Sequence, residues 1–154
     1  RDIMGMVSPS GPVYQAGTLS GNPVAMAAGS AVLKILRDNG HIYSELDKKG
    51  GILEEAFTQA GRKHGIPLTV NRTGSMLSAF FTDRKVDSYK EAVKTDKNMF
   101  VRYFKAMLER GIYTAPSPFE AMFVSHAHSR DDIKRTADAI SEAVGGLRNT
   151  GAAD

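Results

Sequence analysis

The stretch Gly11-Pro-Val-Tyr-Gln-Ala-Gly-Thr-Leu-Ser-Gly-Asn-Pro23 concentrates residues able to approach an anion. Glycine brings the main chain close to a ligand, and the hydroxyls of Thr18 and Ser20 can donate hydrogen bonds. Asn22-Pro23 opens a helix, because Asn caps and Pro fits the first helical position. A helix start offers free N–H groups and the positive end of a dipole. The same residues also make an ordinary Gly-rich surface turn. Glu120 is a second candidate: it follows Pro116-Ser117-Pro118 and precedes an apolar run, so it stands either at a sheet rim in water or in a cleft. Type statistics favour the rim. His126 and His128, at i and i+2, are suited to a metal or a proton relay, yet no third ligand is near in sequence and no metal is expected. The lysines all fall on polar faces or loops, and none reads as a buried nucleophile. Gly-x-Ser-x-Gly, phosphate-loop and zinc-protease motifs are missing.

Bulk composition excludes several classes. The 154 residues are 42% hydrophobic and 24% charged, ordinary values for one globular domain. The 20 basic residues are interspersed with 17 acidic ones, and no basic stripe alternates with aromatics, which argues against nucleic acid as a partner. Without cysteine there is no disulfide framework or thiolate metal site. No apolar run has membrane-spanning length, so no membrane partner is expected. The start at Arg1-Asp2-Ile3 suggests a piece of a longer polypeptide.

The elements that must position these residues read as follows. Residues 1–7 predict a helical turn and 8–21 a loop. A helix over 23–37 has an Ala-rich face suited to close packing. A second over 42–64 buries Leu46, Leu53, Phe57 and Ala60, with Gly50-Gly51 weakening its middle. Strands are expected at 68–70, 76–82, 112–114 and 121–125. Helices are expected over 96–110 and from Ser129 as N-cap to Gly145-Gly146. The second half is therefore an α+β layer with a mostly antiparallel sheet. The domain plan is loop plus two helices over 1–65, the α+β unit over 66–147, and a flexible tail over 148–154.

Three blocks carry a resemblance: Gly11 to Pro23; Ile66-Pro-Leu-Thr-Val-Asn-Arg72 with Gly74-Ser-Met76; and Gly111-Ile-Tyr-Thr-Ala-Pro-Ser117 with Phe119-Glu-Ala121. Over essentially its whole length the chain resembles the C-terminal portion of the glutamate-1-semialdehyde 2,1-aminomutase family, within the class III pyridoxal-phosphate aminotransferases. The first block is shared more loosely by other class III aminotransferases; the last is more particular to the aminomutases. The resemblance implies an α/β, aspartate-aminotransferase-like fold (pyridoxal-phosphate fold type I), of which the chain holds the end of the large cofactor domain and the C-terminal α+β small domain. It implies conversion of glutamate 1-semialdehyde to 5-aminolevulinate in tetrapyrrole biosynthesis, with pyridoxal 5'-phosphate as cofactor and its pyridoxamine form in the cycle.

By the same resemblance, Gly17 and Thr18 bind the cofactor phosphate across a homodimer interface. Glu120 stands at the substrate end of the site. The Schiff-base lysine lies upstream of Arg1, so the chain alone is expected to be inactive. Pro118 and Met122 depart from the family's usual Gln and Gly. The compartment implied is the bacterial cytoplasm, or the plastid in a plant. Two rivals stand beside this reading: another class III ω-aminotransferase, and a non-catalytic α+β interaction module.

Overall fold

A computed structural model describes residues 1–150, the last two by their backbone alone. The part of the expected tail at 151–154 lies outside the described residues. Leu147–Thr150 forms a closing 3-10 turn, where the sequence reading had placed the start of that tail. Two compact units divide the chain, Arg1–Gly40 and His41–Asp154. This division falls one helix before the break near residue 66 expected from sequence.

The first unit holds α1 (Asp2–Gly5) and α2 (Pro23–Asp38), joined by the glycine-rich loop. Val7 and Val13 form an isolated parallel bridge, with the Ser8 N–H donating to the Val13 carbonyl at 2.8 Å. No residue of α2 is buried, and Val24, Met26, Leu33 and Ile35 are all exposed.

The second unit comprises α3 (His41–His64), β1 (Thr69–Thr73), β2 (Met76–Phe80), α4 (Tyr89–Ala92), α5 (Lys97–Glu109), β3 (Met122–Phe123) and α6 (Arg130–Gly146). The sheet has the order β1-β2-β3 and is antiparallel throughout, with Arg72 opposite Leu77 and Leu77 opposite Met122. The helices α3, α5 and α6 cover it. Phe57 of α3, Leu77 of β2, Tyr103 and Met107 of α5, and Ile140 and Val144 of α6 are fully buried. Each such side chain stabilises the fold by roughly 1.5–3 kcal/mol relative to exposure. The Tyr103 ring meets Phe57, Phe81 and Phe100 at tilted angles. Among the described residues its buried hydroxyl has no hydrogen-bond partner, and burial pushes the phenol above its ordinary range.

α3 packs along α6 because its stripe of Leu53, Phe57 and Ala60 faces Ile140 and Val144 within one core. It therefore packs with the sheet as one body and belongs to the second unit. Its Gly50 is explained by a close approach: a Cβ there would meet the Gly74 carbonyl oxygen at 2.4 Å.

The expected strand at 112–114 does not form. The Ile112 N–H bonds back to the Met107 carbonyl at 3.0 Å, closing α5 in a Schellman arrangement around Gly111, whose φ is +73°. The prolines at 116 and 118 then remove further donors. The expected strand at 121–125 shrinks to two residues, because His128 Nδ1 captures the Ser125 N–H at 3.0 Å. Ser88 caps the short α4, an S-x-x-E start that sequence reading passed over.

Candidate functional site

In the first unit the residues from Pro12 to Gly21 are all exposed. The turn is shaped by two backbone bonds, Ser20 N–H to the Gly17 carbonyl (2.9 Å) and Asn22 N–H to the Leu19 carbonyl (3.0 Å). A Cβ on residue 17 would crowd the Ser20 hydroxyl, which would have to turn away from its place beside Thr18. Among the described residues, neither the hydroxyl nor the N–H of Thr18 has a hydrogen-bond partner, leaving both able to donate to an anion.

The helix start behaves differently from the sequence expectation. Asn22 Oδ1 accepts from both the Val24 and Ala25 N–H groups at 3.1 Å. Pro23 has no N–H to give. The donors at the opening of α2 are thus taken by its own cap, and an anion at this loop must rely on Thr18 and its neighbours.

In the second unit a cavity of about 520 Å³ is lined by Leu53, Leu77, Thr114, Glu120, Met122 and Ile133, among others. Glu120 is exposed yet borders this cavity, so both alternatives weighed from sequence hold in part. Its backbone is set by the Ser117 turn: Phe119 N–H donates to Ser117 Oγ (3.2 Å) and Glu120 N–H to the Ser117 carbonyl (3.1 Å). Pro118 sits inside this turn, where its missing N–H costs nothing. Met122, the second departure, pairs with Leu77 in the sheet and helps to wall the cavity.

Phe119 is held by Tyr89, at 5.8 Å between ring centroids, and by Lys97 Nζ, 5.5 Å above the ring. Thr114 contributes a buried hydroxyl that has no hydrogen-bond partner among the described residues. A mostly apolar wall, one carboxylate and one orphan hydroxyl suit a small polar substrate with a cationic group.

The histidine pair does not converge. His126 Nδ1 lies 3.3 Å from Glu45, whereas His128 accepts the Ser125 N–H. Lys49 Nζ donates to the carbonyls of both residues at 3.1 and 2.6 Å and fixes their loop on α3. Among the described residues no group of three His, Asp or Glu is arranged to hold a metal ion, and no helix is long and apolar enough to cross a membrane.

Sequence reading missed Arg72, which ties β1 to α3, and the role of Lys49. Lys49 reads as part of a solvated helix face and Arg72 as part of the segment between two strands, and only long-range geometry shows what they hold.

A family model described as aminotransferase class-III matches residues 1–144. The chain is 54% identical over 142 residues to a glutamate-1-semialdehyde 2,1-aminomutase of Persephonella marina, covering 92% of this chain and 33% of that protein. It is 48% identical over 144 residues to the protein of that name from Thermus thermophilus, covering 94% and 34%. The chain thus spans about a third of the length of the curated relatives it matches. Among solved structures, a β-phenylalanine aminotransferase from Variovorax paradoxus superposes with a TM-score of 0.71 at 27% identity, covering 97% of this chain and 34% of that one. An ω-transaminase from Sphaerobacter thermophilus gives 0.70 at 23%, covering 96% and 34%, a likeness of fold.

Proposed function

This chain belongs to the class-III aminotransferase family, and from that premise we propose that it works as the C-terminal portion of an aminomutase converting glutamate 1-semialdehyde to 5-aminolevulinate. The observation that carries this reading is the near-half identity to aminomutases across almost the whole chain. In this reading the unit ending at Gly40 closes the large cofactor domain, and the helices and sheet from His41 form the small domain.

The cofactor is pyridoxal 5'-phosphate, and the loop fits its phosphate: Gly17 stands beside a Thr18 whose hydroxyl and N–H are exposed and, among the described residues, unpartnered. When bound, the cofactor supplies an electron sink for the amino-group migration. Thr18 holds the phosphate by hydrogen bonds to a charged group, and Gly17 keeps the backbone close to it. The loop serves the cofactor of a partner subunit, so the working form is a homodimer.

The Glu120 carboxylate accepts hydrogen bonds from the substrate's ammonium group and orients it. Leu53, Leu77 and Ile133 keep water from the inner wall of its cavity. The enzyme acts in tetrapyrrole formation, in the bacterial cytoplasm or a plant plastid.

Two substitutions in the full-length protein separate the roles. Thr18→Val is expected to weaken cofactor binding by about 1.5–3 kcal/mol, the scale of a hydrogen bond to a charged group. Glu120→Gln is expected to slow turnover while cofactor affinity stays as it was. Cofactor titration by absorbance and steady-state kinetics check both. Unchanged affinity in the first variant, or unchanged turnover in the second, contradicts the corresponding assignment.

A further inference from the structure

Arg72 joins three parts of the second unit. From β1 its Nε donates to Glu54 Oε2 at 2.7 Å, and its Nη1 donates to Asp47 Oδ1 at 2.6 Å, both on α3. The same Nη1 donates to the Gly74 carbonyl at 2.8 Å, in the turn between β1 and β2. Hydrogen bonding to Glu54, then to Asp47, raises its pKa above the ordinary arginine value, so the charge is permanent. The side chain is only 20% exposed. A planar guanidinium reaching two carboxylates and a carbonyl at once is a clamp that lysine cannot reproduce.

The clamped turn leads directly to the Glu120 segment. Ser75, next to Gly74, accepts the Val124 N–H through its carbonyl at 3.0 Å. Met76 and Leu77 then pair with Phe123 and Met122. β3 is two residues long, so this turn-derived bond is a large share of what registers it. Glu120 lies two positions before β3. On its other side Phe119 is fixed by Tyr89 and Lys97. The carboxylate-bearing stretch is therefore suspended between a ring contact and the Gly74-Ser75 turn.

We propose that Arg72 is a positioning residue for Glu120: it grips the Gly74 carbonyl against α3, the turn then registers β3, and β3 sets the Glu120 carboxylate at the cavity. This rests on the reading of Glu120 as the substrate-end carboxylate. Arg72 does not itself line the cavity that Glu120 borders.

The test is a double-mutant cycle in the full-length holoenzyme, with Arg72→Met and Glu120→Gln alone and combined, read as kcat and KM for glutamate 1-semialdehyde. Arg72→Met is expected to lower kcat about tenfold with little change in KM, and to lower it by less than about twofold when Glu120→Gln is already present. Hydrogen exchange at the Val124 amide is expected to quicken about tenfold or more in Arg72→Met, reporting the released turn.

Equal fold-losses in the two backgrounds, or Val124 exchange as slow as in the parent, overturns the proposal. An unchanged kcat in Glu120→Gln alone removes the reading of Glu120 and the proposal with it, which distinguishes that failure from failure of the clamp. If Arg72→Met does not fold, the same cycle is run with Asp47→Ala, which deletes one arm of the clamp at a surface carboxylate and is judged by the same two outcomes.

Discussion

Gly50→Ala and Gly51→Ala, adjacent in α3, are expected to change stability in opposite directions. Both positions lie inside a long helix, where alanine is better than glycine by roughly 0.8–1 kcal/mol. At Gly51 the nearest atom to a new Cβ is Arg72 Nη2 at 3.9 Å, an ordinary contact, so the gain is kept. At Gly50 the new Cβ would lie 2.4 Å from the Gly74 carbonyl oxygen, backbone that the Arg72 clamp also holds. That is roughly 1 Å short of normal contact. Overpacking of this kind costs about 1–3 kcal/mol, which exceeds the propensity gain. Gly50→Ala should therefore lose about 1 kcal/mol net, and the two variants should differ by about 2 kcal/mol. Urea denaturation of the purified protein measures this as opposite shifts of the midpoint at unchanged slope. A Gly50→Ala variant as stable as the parent would refute the close approach and the reason given for the glycine.

Two further substitutions probe the second unit. Tyr103→Phe deletes a buried hydroxyl without a partner and is expected to stabilise by about 1 kcal/mol, read as a higher denaturation midpoint; a loss of stability would mean the hydroxyl is satisfied. Asp132 is held below the ordinary carboxylate range, first by the Ser129 side chain and then by its N–H. A depressed folded pKa gives stability that is present above the unfolded value and lost as pH falls through the folded one. Ser129→Ala removes the side-chain half of this capping box, so the parent's stability advantage over the variant should shrink on acidification below pH ~4. Thermal melts across pH 2–6 check this, and an advantage independent of pH would contradict it.

Much of this architecture was legible because local chemistry and tertiary context agree. Asn22-Pro23 and Ser129 announce helix starts, Gly111 a helix end, and the Leu53-Phe57-Ala60 stripe a buried face; each appears where expected. Failures arose where a near neighbour in sequence competes for a backbone bond that a strand would need. Ile112 gives its N–H to Met107 and not to a sheet, and His128 takes the Ser125 donor that would have lengthened β3. The candidate site was readable in Gly17, Thr18 and Glu120 as residue types. The expectation of free N–H groups at the opening of α2 failed, because a good cap consumes the donors that an anion would use. Arg72 was not readable, because its partners Asp47 and Glu54 lie far back in sequence and look like solvated helix charges.

The central claim is that these residues serve an intramolecular amino transfer. The most direct test supplies the purified full-length holoenzyme with glutamate 1-semialdehyde alone, without any second amino donor or acceptor, and follows 5-aminolevulinate. The account predicts sustained multiple turnovers under those conditions, with Glu120→Gln markedly slower. Product formation only when a separate amino donor and keto acceptor are added would contradict it, and would assign the chain to an ω-aminotransferase. No turnover under either condition would contradict it as well, in favour of a non-catalytic module.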